Sequence, residues 1–312
     1  MKWQKVAVFS AGVVVSLLLY SLFFWQSDSL GREIKLGLGV EFNTHATPIW
    51  VAVHTELLEK HGITVETLLK FRTGADLASA LARGDVDLGV ACLGPIINLV
   101  DREVDVKIVG KVHNRGYALV VNPERIKSLS DLNNTTVYST GIPNPTNILL
   151  LKIKDLYGLE FNIKPIGDPN TVLSMLISGQ IDSAALPEHY SSVAEEKGLK
   201  ILVRDKDVWP NMPGSFVIAR GDILKNNPEV VAKFVNIIKS SVRIIEENRS
   251  FASHACALEL GVSDQTALRS IEQLDWDTEL NITEIQEYID FMFAHGLIEK
   301  KINASDIVVN LR

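Results

Sequence analysis

Four short segments carry the residue types in this sequence that are best suited to chemistry. They are rich in hydroxyl, amide and glycine groups, which donate hydrogen bonds where helices begin, and Arg72 adds a cation. For each segment alone, ordinary helix capping is the commoner role of such groups. Four of them facing one cleft would form a binding site for an anion or a polar small molecule. The segments are 43–48, 72–75, 92–95 and 139–147.

Two more candidates lie further along the chain. Glu188, in the sequence Pro-Glu-His-Tyr at 187–190, could favour a helix N-terminus or contact a ligand. Trp209 precedes a predicted crossing between two lobes, where it could cover a ligand or pack in a hinge. Both alternatives stay open for each residue.

Motifs for catalysis or metal binding do not occur in this sequence. Its seven histidines include no pair spaced at i and i+4, and the patterns His-Glu-x-x-His, Cys-x-x-Cys and Gly-x-Ser-x-Gly are missing. A lone His45 in a loop is expected to donate a hydrogen bond or to cap a helix. We therefore predict a binding protein rather than an enzyme, with no metal and no cofactor.

The elements that must position these segments are indicated by a phrase that occurs twice. Residues 79–91 and 174–186 share Ser, Leu, Gly and Asp at equal spacing. Each copy is typical of an amphipathic helix that ends at a glycine and is followed by a short apolar strand. The phrase predicts two similar α/β units with a cleft between them. Asp87 and Asp182 are expected to fix the start of each strand and not to act as an acid/base pair.

Strand and helix patterns alternate through most of the chain, which is typical of a parallel sheet with helical crossovers. Beyond Pro228 the pattern is wholly helical. We therefore predict an α/β fold of two lobes that are joined by two hinge crossings. Lobe 1 is predicted at 30–120, lobe 2 at 121–214, and the return strand and C-terminal helices of lobe 1 at 215–312.

Composition limits the partners that this chain can have. A formal net charge of −7 and the lack of basic runs argue against a nucleic-acid partner. Cys92 and Cys256 lie in predicted elements of different type, far apart along the chain. They are expected to be buried free thiols.

The N-terminal segment predicts a location outside the cytoplasm. Lys2 and Lys5 precede residues 6–25, which carry no charge and as a helix would span roughly the 30 Å hydrocarbon core of a bilayer. Residues 1–29 are thus predicted to be an uncleaved membrane anchor or, alternatively, a cleaved signal sequence. In either case the rest of the chain, residues 30–312, is extracytoplasmic.

A series of short motifs extends from about residue 34 to residue 297 in a recognisable order. They are His45-Ala-Thr-Pro48, Thr73-Gly-Ala75, Gly84-Asp-Val-Asp87-Leu-Gly-Val-Ala91, Leu93-Gly-Pro95, Tyr117-Ala-Leu-Val-Val121, Ser128-Leu-Ser-Asp-Leu132, Leu186-Pro-Glu188 and Trp209-Pro210. No single motif is specific, whereas the ordered series is. It resembles the substrate-binding proteins of ABC importers of the nitrate, sulfonate and taurine type.

The resemblance implies a type II periplasmic-binding-protein fold, in which two Rossmann-like lobes close on a ligand. It also implies a small polar or anionic ligand, such as a sulfonate, nitrate or a taurine-like solute, and an ABC permease and ATPase as partners. Similar folds occur in enzymes of pyrimidine and menaquinone pathways. An enzyme that uses the same cleft and a ligand-sensing input module are therefore the alternatives.

Positions that match the family's ligand loops are carried over as expected ligand contacts. Arg72 would favour an anion, whereas Glu188 would oppose one and could instead bind an amine or pair with the arginine. The expected ligand-binding residues are Asn43, Thr44, His45, Arg72, Thr73, Gly74, Gly94, Thr140, Gly141, Pro187, Glu188 and Trp209.

Overall fold

Two β-sheets form the framework of residues 35–311, the part of the chain that a computed structural model describes. The strands are β1 (Lys35–Glu41), β2 (Thr64–Phe71), β3 (Leu88–Cys92), β4 (Val106–Arg115), β5 (Tyr117–Val121), β6 (Thr136–Ser139), β7 (Asn162–Pro165), β8 (Ser183–Pro187), β9 (Lys200–Arg204), β10 (Pro213–Arg220) and β11 (Leu274–Asp275). The first sheet has six strands in the order β11-β4-β10-β3-β1-β2. The second has five strands in the order β7-β6-β8-β5-β9.

Helices connect most of the strands, as the alternating pattern predicts. They are α1 (Thr47–His54), α2 (Leu57–Lys60), α3 (Gly74–Arg83), α4 (Leu93–Asp101), α5 (Pro145–Tyr157), α6 (Pro169–Ile177), α7 (Tyr190–Glu196), α8 (Asp205–Val208), α9 (Gly221–Asn226), α10 (Pro228–Glu247), α11 (Arg249–Leu260), α12 (Asp264–Ile271), α13 (Ile282–Ala294) and α14 (Ala304–Ile307). Short 3-10 helices lie at Thr44–Ala46 and Leu129–Leu132.

Strand directions confirm the predicted parallel sheets only in part. β1 is parallel to β3, and β6 is parallel to β7 and β8. In contrast, β10 runs antiparallel to β3 and β4, and β5 runs antiparallel to β8 and β9. β5 and β10 are each the first strand after the chain passes from one sheet to the other. Both sheets are therefore mixed.

The chain changes sheets twice within the described residues. It leaves the first sheet between Arg115 and Tyr117 and returns between Arg204 and Pro213. The two crossings are hydrogen-bonded to each other, because the Arg115 N–H donates to the Met212 carbonyl at 2.9 Å. The lobe boundaries predicted after residues 120 and 214 stay predictions.

The repeated phrase occupies equivalent places in the two sheets. Gly84 follows α3 with a φ of 81°, and Gly179 follows α6 with a φ of 71°, in the left-handed region that glycine adopts without strain. The Asp87 carboxylate accepts a hydrogen bond from the Gly37 N–H of β1 at 2.9 Å. The predicted role of Asp87 at the start of a strand is therefore confirmed. In the second copy it is the Asp182 carbonyl that accepts a neighbouring N–H.

One apolar core extends from the first sheet into the second. It includes Leu77 of α3, Ile148 of α5 and Tyr288 of α13. Alternate residues of a strand point to opposite faces of a sheet, and β5 is buried on both. Leu119 belongs to this shared core, whereas Val120 packs in a separate core with residues of α6.

Ion pairs also join helices that pack on different sheets. Arg269 of α12 pairs with Glu196 of α7. His295, just after α13, lies with its Nε2 atom 2.9 Å from the Asp155 carboxylate of α5. α5 packs on strands of the second sheet, and α13 packs on β10 of the first. Both pairs are partly exposed to solvent.

Two helical predictions are wrong in detail. The apolar residues between Pro48 and His61 fit one helical stripe and predict a single helix, but the structure has α1 and α2 instead, because Glu56 takes a left-handed φ of 56°. The C-terminal part is not wholly helical, since β11 pairs with Arg115 and Asn114 at the end of β4.

The predicted membrane anchor or signal sequence at 1–29 lies outside the described residues. Within residues 35–311, none of the helices combines the length and the apolar character needed to cross a membrane. Cys92 and Cys256 are buried and free, as predicted.

Replacement of Asp87 by alanine should destabilise the first sheet. It leaves the part-buried Gly37 N–H without its acceptor and removes the carboxylate that lies 3.7 Å from Arg220. We expect Asp87→Ala to lower the free energy of unfolding by about 1–3 kcal/mol, measured by urea denaturation. The control is Asp85→Ala, which breaks a surface ion pair with Arg83 and should cost under about 1 kcal/mol. Equal losses in both variants would contradict the role of Asp87.

Candidate ligand-binding site

A narrow pocket lies where segments of both sheets meet, and its volume is about 290 Å³ when the space open to solvent is included. One side is formed by residues that end or follow β1, β2 and β3. The other side is formed by residues that end or follow β6, β7 and β8, or that begin β5. The first group is Glu41, Asn43, Arg72, Thr73, Gly74 and Cys92, and the second is Tyr117, Thr140, Asn144, Pro145, Thr146, Pro169 and Pro187.

Three helices begin at this pocket. α3 starts at Gly74, α5 at Pro145 and α6 at Pro169. Unpaired N–H groups and aligned peptide dipoles give the N-terminus of a helix a partial positive charge. The Thr73 hydroxyl caps α3 by accepting a hydrogen bond from the Asp76 N–H. The helix ends can therefore stabilise negative charge on a ligand.

Arg72 lies at the rim of the pocket. Its side chain is 74% exposed, and its guanidinium is 3.8 Å from the Asp168 carboxylate. Asp168 is also the N-cap of α6, where it accepts a hydrogen bond from the Asn170 N–H. Arg72 can thus meet an anion only at the mouth of the pocket, and Asp168 offsets part of its charge.

Glu41 is the buried carboxyl group of the pocket, and the sequence analysis did not select it. It accepts a hydrogen bond from the Cys92 N–H at 2.7 Å and lies 3.4 Å from Asn43 Nδ2. Burial raises the pKa of Glu41, although the hydrogen bonds from Cys92 and Asn43 act in the opposite direction. The sequence feature that could have identified Glu41 is its position as an acidic residue at the end of β1, a strand that is otherwise largely apolar.

The other titratable groups beside Glu41 are held neutral. Burial, with the nearby Glu41 charge as a further cause, raises the pKa of Cys92 and of Tyr117 well above their usual values. Arg72 is the only cationic side chain among the described residues that line the pocket. Within the part of the chain that the structure describes, no three His, Cys, Asp or Glu side chains are grouped to hold a metal ion.

Two polar atoms of the pocket are buried without a hydrogen-bond partner among the described residues. They are Asn144 Oδ1 and the Tyr117 hydroxyl. The Asn144 amide is oriented by its Nδ2 group, which donates to the Thr140 carbonyl at 2.6 Å. A buried polar atom that stays unpaired costs free energy, so both atoms are suited to contact a ligand.

Half of the residues predicted from the sequence line this pocket, and the others lie behind it. Those that line it are Asn43, Arg72, Thr73, Gly74, Thr140 and Pro187. Those that do not are Thr44, His45, Gly94, Gly141, Glu188 and Trp209.

Glu188 is already paired within the protein. Its carboxylate lies 2.8 Å from the Arg204 guanidinium and accepts a hydrogen bond from the Ser192 hydroxyl at 2.7 Å. The side chain is fully buried. Of the alternatives left open by the sequence, pairing with an arginine is what the structure has, but the partner is Arg204 and not Arg72.

His45, which is buried, and Trp209, which is partly buried, pack against other aromatic rings and do not line the pocket. The His45 ring lies with its centroid 4.7 Å from that of His113 and 5.0 Å from that of Tyr117. Burial, together with the neighbouring His113, lowers the pKa of His45 well below its usual value, so the ring is neutral. Trp209 packs against the ring of Tyr288.

Gly94 marks a close approach between the two sides of the pocket. A Cβ atom at this position would lie 2.0 Å from the carbonyl oxygen of Pro143, in the loop after β6. Gly141 in the same loop has a φ of 125°, a conformation that favours glycine. Thr44 is fully buried. These three predicted residues therefore shape the two sides without lining the pocket.

Replacement of Gly94 by alanine should keep the two sides apart. The added Cβ would overlap the Pro143 carbonyl, which is backbone and cannot rotate away. We expect Gly94→Ala to lower the free energy of unfolding by about 1–3 kcal/mol and to increase the radius of gyration in small-angle scattering. Asn98→Ala, one turn later on α4, removes atoms without adding any and is the control. An unchanged scattering profile and unfolding curve for Gly94→Ala would contradict the close approach.

Comparisons with known proteins give relatives that bind solutes. A Brucella abortus (strain 2308) protein named as a binding protein is 29% identical over 231 residues, which are 71% of this chain and 70% of that protein. A Bacillus subtilis (strain 168) protein named as an aliphatic sulfonates-binding protein is 25% identical over 295 residues, covering 89% of this chain and 86% of that protein. These relatives are described as binding proteins and not as enzymes.

A solved structure shows the same fold. The alkanesulfonate-binding protein of Xanthomonas axonopodis pv. citri, bound to MOPS, has a TM-score of 0.79 at 18% identity and covers 90% of this chain and 100% of that one. The predicted two-lobed α/β fold of periplasmic binding proteins is therefore confirmed for the described residues, and so is the resemblance to substrate-binding proteins of ABC importers. The model of the NMT1-like family matches residues 32–260, well over half of the sequence, and the chain therefore belongs to that family.

Proposed function

We propose that this chain is an extracytoplasmic solute-binding protein of an ABC importer. It captures a small polar or anionic solute between the two sheets and presents it to a membrane permease and its ATPase. The observation that best supports this function is a pocket lined by the loops at the strand ends of both sheets. A ligand there contacts both sides only when they are together, so its binding favours the closed arrangement.

Sulfonates, nitrate and taurine-like solutes are the proposed ligands. The helix N-termini at Gly74 and Pro145 and the cation of Arg72 suit an oxyanion. The names of the Bacillus and Xanthomonas relatives, both sulfonate binders, support the same class. The buried carboxyl of Glu41 opposes a simple anion deep in the pocket, so the anionic group belongs at the mouth.

The proposed location follows from residues 1–29. As an uncleaved anchor they would keep the binding protein beside its permease, and as a cleaved signal they would release it outside the cytoplasm. In both cases the pocket faces the compartment from which an importer draws its solute.

A thermal-shift experiment on the full chain in mild detergent tests this function. Ethanesulfonate, taurine and nitrate are each added up to about 100 times the dissociation constant, where a ligand stabilises the folded state by about 2.7 kcal/mol. For a chain of this size that corresponds to a rise of roughly 5 °C in the melting temperature. Failure of all three solutes to raise the melting temperature would contradict the proposed class of ligand.

Arg72→Ala should weaken binding of the same solutes without changing the fold. Because Arg72 is exposed and the Asp168 carboxylate offsets part of its charge, we expect a loss of only about fivefold in affinity by isothermal titration. The control is Arg83→Ala at the far end of α3, which removes another exposed arginine, one that is paired with Asp85. Equal losses for both variants would indicate a general charge effect rather than a contact at the rim.

A further inference from the structure

The carboxyl of Glu41 has hydrogen-bonding capacity that the protein does not use. A carboxylate has about four acceptor positions. Its Oε1 atom accepts the Cys92 N–H at 2.7 Å, and the Cys92 thiol is a further hydrogen-bond partner of the carboxyl. The Oε2 atom lies 3.4 Å from Asn43 Nδ2, which is long for a hydrogen bond. No ion pair among residues 35–311 includes Glu41. A buried carboxylate without a cation is unfavourable unless a partner arrives from outside.

The backbone of α3 begins directly beside this carboxyl. A Cβ atom on Gly74 would lie 2.7 Å from Glu41 Oε1 and 2.7 Å from Cys92 Sγ. Glycine at this position therefore lets the first turn of α3 approach the buried acid closely. A larger residue would displace the acid.

A second acceptor reaches the same pocket from the other sheet. Asn144 Oδ1 is buried and has no partner within the described part of the chain, and the bond from its Nδ2 group to the Thr140 carbonyl fixes the amide. Glu41 and Asn144 both line the pocket. Two unused acceptors, one of them acidic, match a ligand group that donates several N–H bonds and carries positive charge.

The surroundings of Glu41 supply no such charge. The titratable groups that face it are Cys92, Tyr117 and Tyr288, and burial raises the pKa of each well above its usual value. All three are neutral acids at physiological pH. Arg72, the cation of the pocket, is turned to solvent and to Asp168.

We propose that Glu41 is the specificity-determining residue of the pocket and that it binds a cationic nitrogen, an ammonium or amidinium group, at the inner end of the ligand. This inference rests on the proposed function, because it assigns the inner half of the same pocket. With the N-termini of α5 and α6 and the cation of Arg72 left for the other end, the ligand class is a small zwitterion whose cation points inward and whose oxyanion points to the mouth.

Binding of such a ligand is linked to the proton on Glu41. Burial raises the pKa of this carboxyl, and a bound cation favours its ionised form. Affinity for the cation therefore increases as the pH rises through the pKa of Glu41. Cys92, Tyr117 and Tyr288 do not lose protons in this range, so they do not contribute to the pH dependence of the affinity.

The test compares two pairs of probes that differ only in an ammonium group. The pairs are taurine with ethanesulfonate and β-alanine with propionate, titrated calorimetrically into the full chain between pH 5 and pH 7.5. We expect the ammonium member to bind about 30-fold tighter in the unmodified protein, with affinity increasing with pH. In Glu41→Gln the ratio should fall to about one, and the pH dependence should disappear.

The ratio within a pair is the readout because a partly unfolded variant would weaken both members equally. Glu124→Gln removes an exposed carboxylate elsewhere and controls for the change in net charge. If the ammonium-free members bind as tightly as their partners, or if Glu41→Gln keeps the ratio, the inference is overturned while solute capture in the pocket stands. If no probe binds, both the inference and the proposed zwitterionic or anionic ligand class are overturned.

Discussion

The pairing of the two crossings is the constraint on which the rest of this structure depends. The outgoing segment is bonded to the returning one through the Arg115 N–H and the Met212 carbonyl, and the Gly116 carbonyl accepts the Glu188 N–H at the start of the second sheet. Under the proposed function, these paired crossings are the hinge about which the two sheets close on a ligand. The loops on either side of the pocket are attached to the two sheets that this hinge joins.

The same constraint explains why several predicted ligand residues are used for packing. The His45 and His113 rings pack against each other at a tilt of 59° beside the crossings, where burial lowers the pKa of His113 to about 3. A Cβ atom on Gly116 would lie 2.8 Å from the His45 ring, and one on Gly214 would lie 2.4 Å from the His113 ring. The glycines of both crossings thus admit two neutral aromatic rings. The residues next to His45 in the sequence do not distinguish a histidine that contacts a ligand from one that packs beside the crossings.

Local patterns were sufficient for the framework and for half of the site. The repeated phrase at 79–91 and 174–186 predicted two units, because the end of a helix and a short apolar strand depend mainly on residues that are adjacent in sequence. Glu41 was missed because its burial depends on Cys92, a residue that is distant along the chain and contributes through its backbone. Glu188 could not be assigned, since nothing near it in sequence indicates that Arg204 is its partner.

The ion pairs between the two sides have a consequence for the medium in which the protein works. Arg72 with Asp168, Arg269 with Glu196, and His295 with Asp155 all bridge helices or loops of different sheets, and all are partly exposed. Mobile ions screen exposed charges within about 8 Å at physiological ionic strength. If the sheets separate and close as the proposed function requires, added salt weakens these contacts between the two sides. Affinity would depend on salt even for a ligand with no net charge, because the screened charges belong to the protein itself.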